Sequence, residues 1–205
     1  MNKILRALKK LPIDLGQADL SEVTEGKKIA LRLVPHVQGG KALDIGCREG
    51  HQSEWLKQIG YSVDSVDIEP NYHFGKVLDV NNGLPYDDNF YDLIWCSEVI
   101  EHLKQPEYVL SEMRRVLKQG GSLILTTPNS NFWLYRAFGL FGITPDKLQN
   151  PTHIHYFSSL DIKTLCPDAE LYGYFPYALF KFTLRSPAAI NFLSPTFILK
   201  VLNRI

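Results

Sequence analysis

Cysteine is scarce in this chain. Cys47, Cys96 and Cys166 are the three among 205 residues, an odd number set far apart with no C-x-x-C spacing. That excludes a disulfide scaffold and reads as reduced thiols in a cytoplasmic protein. Long apolar runs are absent too: no 18 consecutive residues are uninterrupted by polar ones, so no membrane-spanning helix is expected. Met1 to Leu11 carries charges every two or three residues, where a secretory signal has an unbroken apolar stretch. Neither sign of charge dominates. Lys plus Arg and Asp plus Glu stand at 22 each, so no global field draws the chain to nucleic acid. The 14 Gly and 12 Pro are too few and too scattered for a fibrous or disordered chain. What is present, 45% hydrophobic and 12% aromatic residues, is enough for one globular core over residues 1–205 and leaves little room for a second.

Buried-run and period-2 signals recur along the chain at Lys41 to Gly46, Tyr61 to Asp67, Lys76 to Val80, Tyr91 to Cys96 and Ser122 to Thr127. Helical spacing lies between them, over Ser53 to Ile59 before Gly60, and over Gln105 to Lys118 before Gly120 and Gly121, with Pro106 in the first turn. Parallel strands need crossovers and helices make them, so the alternation predicts an α/β fold with a doubly wound parallel sheet. Ahead of it, Ile4, Leu5, Leu8 and Leu11 alternate with Lys3, Arg6, Lys9 and Lys10 as a short basic amphipathic helix. Behind it, Leu171 to Leu184 and Ile190 to Ile205 are rich in Tyr, Phe, Leu and Ile. These ends either close the sheet and pad the core, or form an apolar substrate pocket or a surface in peripheral contact with a membrane.

Three features carry chemistry. Asp44-Ile-Gly46-Cys47-Arg48-Glu49-Gly50 runs from a strand through a glycine-bearing turn into a helix, which turns bare N–H groups and a positive dipole end toward an anionic ligand; the alternative is a turn that is merely tight. Asp67 ends the next strand 21 residues after Gly46, where doubly wound folds place a carboxylate on the ribose hydroxyls of an adenosine; the alternative is an ordinary capping Asp. Asp79 ends a short third strand and can accept from an adenine amine.

Taken in order, Leu43-Asp44-Ile45-Gly46-Cys47, Val66-Asp67-Ile68, Asp79, Leu84-Pro85, Phe90 to Ile94, Ser97 to His102, Arg115 to Gly121 and Thr127-Pro128-Asn129 resemble class I S-adenosylmethionine-dependent methyltransferases. The likeness is to the small-molecule branch that includes ubiquinone-biosynthesis O-methyltransferases. It runs from Lys41 to about Asn129, with a weaker likeness at His153-Ile-His155-Tyr-Phe-Ser. The resemblance implies a Rossmann-like seven-stranded sheet, mostly parallel with one antiparallel strand near the C-terminal end, its last strands near Leu171 to Phe175 and Phe180 to Thr183. It implies an N-terminal helical extension over 1–40, a cofactor-binding core over 41–129, and a substrate lid that completes the sheet over 130–205. S-adenosylmethionine is the implied cofactor. Asp44, Gly46, Cys47, Arg48 and Gly50 would hold its methionine end, Asp67 and Ile68 the ribose, Asp79 and Val80 the adenine edge, and Ser97 the floor beside the sulfonium.

Arg48 departs from the family, which has glycine there. It either pairs with Glu49 or Glu54, or reaches the cofactor carboxylate. On a helix, Glu98, Glu101 and His102 would share one face at i, i+3 and i+4. That set, with His155 or His153 as a fourth ligand, can hold a divalent metal; alternatively the carboxylates are solvated and His102, His153 or His155 acts directly on the acceptor proton. Phe132, Trp133, Tyr135, Phe138 and Phe141 suggest an aromatic lid. The expected function is transfer of a methyl group to a small or lipid- or sugar-linked acceptor, at oxygen before nitrogen or carbon. The alternatives are a non-catalytic cofactor-binding or scaffolding subunit, and a nicotinamide dehydrogenase, which would need the G-x-G-x-x-G that Arg48 interrupts.

Overall fold

The computed structural model describes residues 24–176 and 182–204. Strands β1 (Lys41–Ile45), β2 (Ser62–Asp67), β3 (Gly75–Val77), β4 (Tyr91–Ser97) and β5 (Leu117–Pro128) pair in parallel in the order β3-β2-β1-β4-β5. Helices α1 (Glu25–Arg32), α2 (His51–Gln58) and α3 (Pro106–Val116) cover the two faces. Because side chains alternate along a strand, Leu93 and Trp95 of β4 pack with Ile29 and Ala30 of α1 and Leu56 of α2. Their neighbours Ile94 and Cys96 pack on the opposite face with Val109, Met113 and Val116 of α3. A sheet apolar on both faces is what a doubly wound fold requires, and it explains why these strands read as continuous apolar runs. Pro106 opens α3 at a position where its missing N–H costs nothing, and Arg114 and Arg115 face the negative end of the helix dipole.

The remaining elements are α4 (Trp133–Gly139), α5 (Pro145–Leu148), α6 (Ser159–Leu165), β6 (Glu170–Tyr174), β7 (Thr183–Leu184), α7 (Pro187–Leu193) and β8 (Thr196–Leu202). Among the described residues the sheet has eight strands where the resemblance implied seven. β8 lies between β5 and β6, antiparallel to both, from Ser122↔Leu202 to Pro128↔Thr196 on one side and Glu170↔Lys200 to Tyr172↔Ile198 on the other. Phe197, Leu199 and Val201 enter one core and Ile198 the other. A segment that reads as core padding is therefore an interior strand. β7 pairs antiparallel with β6, and the neighbouring residues 177–181 lie outside the described part. So does the basic stretch from Lys3 to Leu11. Tyr172 and Tyr174 are buried under α1, as the core-padding alternative has it and not the membrane-facing one. The third strand stops at Val77, because Asp79 caps a 3-10 turn over Val80–Asn82 by accepting from the Asn81 N–H at 3.0 Å.

Candidate active site

A cavity of about 880 Å³ opens at the carboxyl ends of β1, β2 and β4. Its first wall is the turn after β1. Gly46 has φ +82°, and a Cβ there would lie 2.3 Å from Val99 Cγ2; Gly50 has φ +78°, and a Cβ would lie 2.2 Å from Tyr72 Cδ2. Both positions require glycine twice over, for backbone conformation and for space. The Gly46 and Cys47 N–H groups donate to the Val66 carbonyl at 2.9 and 3.1 Å, tying the turn to β2. The Arg48 N–H donates to Asp67 Oδ2 at 3.0 Å and the Glu69 N–H to Oδ1 at 2.9 Å. Each carboxylate oxygen of the buried Asp67 keeps a further lone pair for a ligand donor.

Asp44 stands directly behind this wall, 1% exposed. Its Oδ2 accepts from Ser53 Oγ at 2.5 Å, while Oδ1 has no hydrogen-bond partner. Burial pushes the carboxyl up to about 7 against the opposing Ser53 hydrogen bond and the Lys27 ammonium. An orphaned buried acceptor costs about 1–3 kcal/mol, a cost that an arriving cationic group would remove.

The second wall is the turn after β4. Glu98 is not helical: its φ is +58°, its N–H donates to the Thr126 carbonyl at 2.9 Å and its Oε1 accepts from Thr126 Oγ1 at 3.0 Å. The shared helical face expected for Glu98, Glu101 and His102 therefore does not form. Only Ile100–His102 make a 3-10 turn. Glu101 is 1% exposed, with Oε2 accepting from Thr127 Oγ1 at 3.0 Å and Oε1 without a hydrogen bond, 3.9 Å from His153 Nε2. Burial, reinforced by the charge of Glu98, holds the Glu101 carboxyl well above the usual range. Burial, with His102 adding, brings His153 down to about 4. Both shifts disfavour the charged forms, so the 3.9 Å approach carries little ion-pair character.

The loop 149–156 is pinned against this turn. The Ile154 and His155 N–H groups donate to the Glu101 carbonyl at 3.0 and 3.1 Å. His102 Nδ1 lies 3.1 Å from the Thr152 carbonyl and His153 Nδ1 lies 3.2 Å from Gln149 Oε1. Those oxygens can only accept, so the network assigns the proton of each ring to Nδ1 and leaves each Nε2 with a lone pair. Ligand atoms of Glu101, His102 and His153 lie within 4.8 Å of one another.

Of the residues expected at the site, Gly46, Arg48, Asp67, Ile68, Asp79, Val80, Ser97, Glu98, Glu101, His102 and His153 line the cavity. His155 does not: its Nε2 meets the Leu103 carbonyl at 2.8 Å and its ring stacks on Phe157, facing a groove beside α3. It is His153, held by Gln149, and not His155 that joins Glu101 and His102. Cys47 offers the turn only its backbone; its side chain is buried against Gly75 and burial pushes the thiol up to about 12. Gly50 is covered by Tyr72. Arg48 pairs with neither expected acid, since Glu49 accepts from Asn71 and Glu54 is held by Lys57 and Tyr72. The aromatic lid is a core of its own: Phe132, Tyr135 and Leu148 are buried together. Lys27 was not anticipated. It lines the cavity from α1, lowers both Asp44 and Glu101 electrostatically, and no ion pair engages its ammonium among the described residues. Nothing in the sequence separates it from its exposed neighbour Lys28.

Residues 22–173 match the family described as "Methyltransferase domain". The ubiquinone biosynthesis O-methyltransferase of Coxiella burnetii (strain RSA 493 / Nine Mile phase I) is 30% identical over 127 residues, covering 53% of this chain and 54% of that protein. That of Burkholderia vietnamiensis (strain G4 / LMG 22486) is 31% identical over 122 residues, covering 52% of each. The chain thus spans about half the length of the curated relatives it matches. A solved SAM-dependent methyltransferase from Archaeoglobus fulgidus superposes with a TM-score of 0.63 over 87% of this chain and 95% of its own, at 19% identity, a likeness of fold. With the family match spanning most of the sheet and both walls of the cavity, the chain belongs to the class I S-adenosylmethionine-dependent methyltransferases.

Proposed function

We propose that this protein methylates a hydroxyl oxygen of a small acceptor, with the cofactor held between the turn after β1 and Asp79, and the acceptor between Glu101, His102 and His153. The observation that carries the reading is the meeting of these two half-sites in one cavity. The residues fit S-adenosylmethionine: Asp67 has an open acceptor site on each oxygen for a ribose diol, the orphaned Asp44 Oδ1 suits the field of an ammonium, and Lys27 and Arg48 are cations suited to a carboxylate. When bound, that group supplies an activated methyl on a sulfonium.

The chain's own work is alignment and proton removal. Ser97 and Val99 form the floor between the half-sites, and holding acceptor and methyl in line supplies much of the rate. His102, its Nδ1–H fixed on Thr152, presents Nε2 as the base for the acceptor hydroxyl. His153, neutral above about pH 4, presents a second lone pair beside it. A second reading rests on the same three residues. Glu101 Oε1, His102 Nε2 and His153 Nε2 form a mixed oxygen and nitrogen set whose imidazoles are anchored through Nδ1, as metal-binding histidines are. A divalent cation there would keep Glu101 ionised and orient the acceptor oxygen.

Methyl transfer from labelled cofactor to a panel of phenolic and sugar hydroxyl acceptors tests the reading. His102→Ala should lower turnover by roughly 10² to 10⁴ with cofactor affinity retained. If metal is used, chelator abolishes activity, added divalent ion restores it, and Glu101→Gln matches the histidine variant. Activity that survives both chelator and His102→Ala refutes both roles.

A further inference from the structure

Leu140 and Phe141 are 86% and 81% exposed, the highest values among large apolar side chains of the described residues. They form the tip of a hydrogen-bonded turn that follows α4. At the end of α4 the N–H groups of Leu140, Phe141, Gly142 and Ile143 donate to the carbonyls of Ala137, Phe138, Gly139 and Phe138, and Gly142 closes the turn with φ +73°. Phe138 and Ile143 anchor it by packing against the buried cluster of Phe132, Tyr135 and Leu148. Two large apolar side chains are therefore held in water by a turn whose N–H groups are already hydrogen-bonded. Such a tip can enter the headgroup and acyl boundary without stranding its backbone donors, while its carbonyls stay at the wet headgroup level.

Two cations, Arg136 and Lys147, stand near the tip against one exposed carboxylate, Asp146. Arg136 is exposed one helical turn before Leu140, and Lys147 Nζ donates to the Gly142 carbonyl at 3.0 Å, bringing its ammonium to the base of the tip. We propose that this tip inserts into the headgroup region of an anionic membrane, with Leu140 and Phe141 in the acyl boundary and Arg136 and Lys147 on lipid phosphates. Apolar insertion plus a cationic collar is the combination that gives reversible interfacial binding. The segment that follows the tip directly, Asp146 to His153, is also a wall of the cavity. Docking therefore turns the mouth of the site toward the bilayer and favours an acceptor whose polar group is carried by a membrane-resident molecule.

The test is flotation of the full chain at low salt with phosphatidylcholine vesicles, with and without phosphatidylglycerol. The expected result is capture by the anionic vesicles alone, weakened by salt. The double variant L140S/F141S should lower partitioning at least about tenfold, equivalent to about 1.4 kcal/mol, while keeping S-adenosylhomocysteine affinity, which shows that it is folded. The indole added by F141W should be quenched by lipids brominated near the headgroup. Equal flotation of wild-type and L140S/F141S overturns the proposal, as does an unquenched F141W. So does self-association of the wild-type that the double variant abolishes while vesicles capture nothing, which would make the tip a contact between copies of this chain. Flotation needs neither cofactor nor turnover, so its failure leaves the methyl-transfer reading standing.

Discussion

Asp44 makes cofactor binding depend on pH in a range where an ordinary aspartate would not. Its carboxyl is brought to about 7 by burial, with Ser53 donating to Oδ2 and Oδ1 left without a partner. If the ionised form is the one that receives the ammonium of S-adenosylhomocysteine, affinity follows the ionised fraction of the free protein. That fraction is about 90% at pH 8, about 10% at pH 6 and about 1% at pH 5. Affinity should then fall about tenfold from pH 8 to 6 and approach a hundredfold by pH 5, equivalent to about 2.7 kcal/mol. Calorimetric titration across this span measures it, and Asp44→Asn isolates the contribution of this carboxyl. The variant should bind weakly with its slope reduced. It should also be more stable than wild-type at pH 8. Raising the folded value from about 4 to about 7 gives stability that is full below pH 4 and lost as pH rises through 7, and an amide has no such loss. Affinity that stays flat from pH 8 to 5 in the wild-type, or an unchanged slope in Asp44→Asn, would refute the reasoning.

Gly46→Ala should lower unfolding free energy by about 2–4 kcal/mol in urea titration, from the positive φ and from a Cβ 2.3 Å from Val99 Cγ2. Adding Val99→Ala should recover the steric part of that loss, so a double variant no better than the single one would count against it. Asn129 donates through Nδ2 to the carbonyls of Ile190, Asn191 and Ser194 at 2.7 to 3.1 Å. The isosteric Asn129→Asp replaces donor with anion against three acceptors and should cost about 3 kcal/mol or more by the same measurement; a near-neutral result would sink this account of the residue.

The half of the site made by β1, β2 and their turns was legible because it is local. Gly46, Gly50 and Asp67 are set by a strand, a turn and one crossover, and each residue type answers a backbone requirement close in the chain. The other half was not, because distant contacts decide it. Glu98 adopts a left-handed conformation against Thr126, and the imidazole that joins His102 is selected by a loop hydrogen-bonded to it from 50 residues away. Glu98-x-x-Glu-His reads as helical spacing only until β5 claims its first residue. β8 was hidden for a related reason: an interior strand buried on both faces has no alternation, and Thr196 to Leu202 could equally pad a core.

The interior place of β8 also fixes an order of events. β5 and β6 have no pairing with each other except through residues 196–202, which follow both in the chain. During synthesis β5 must therefore keep one edge unpaired until about 70 further residues have emerged, several seconds at ordinary translation rates. That edge, Ser122 to Pro128, is buried in the finished protein, with Leu123, Ile124 and Leu125 at its centre. An open edge of this kind invites association with other nascent chains, so yield should respond to chaperone supply and to translation speed downstream of codon 128 more than to the native state's own stability.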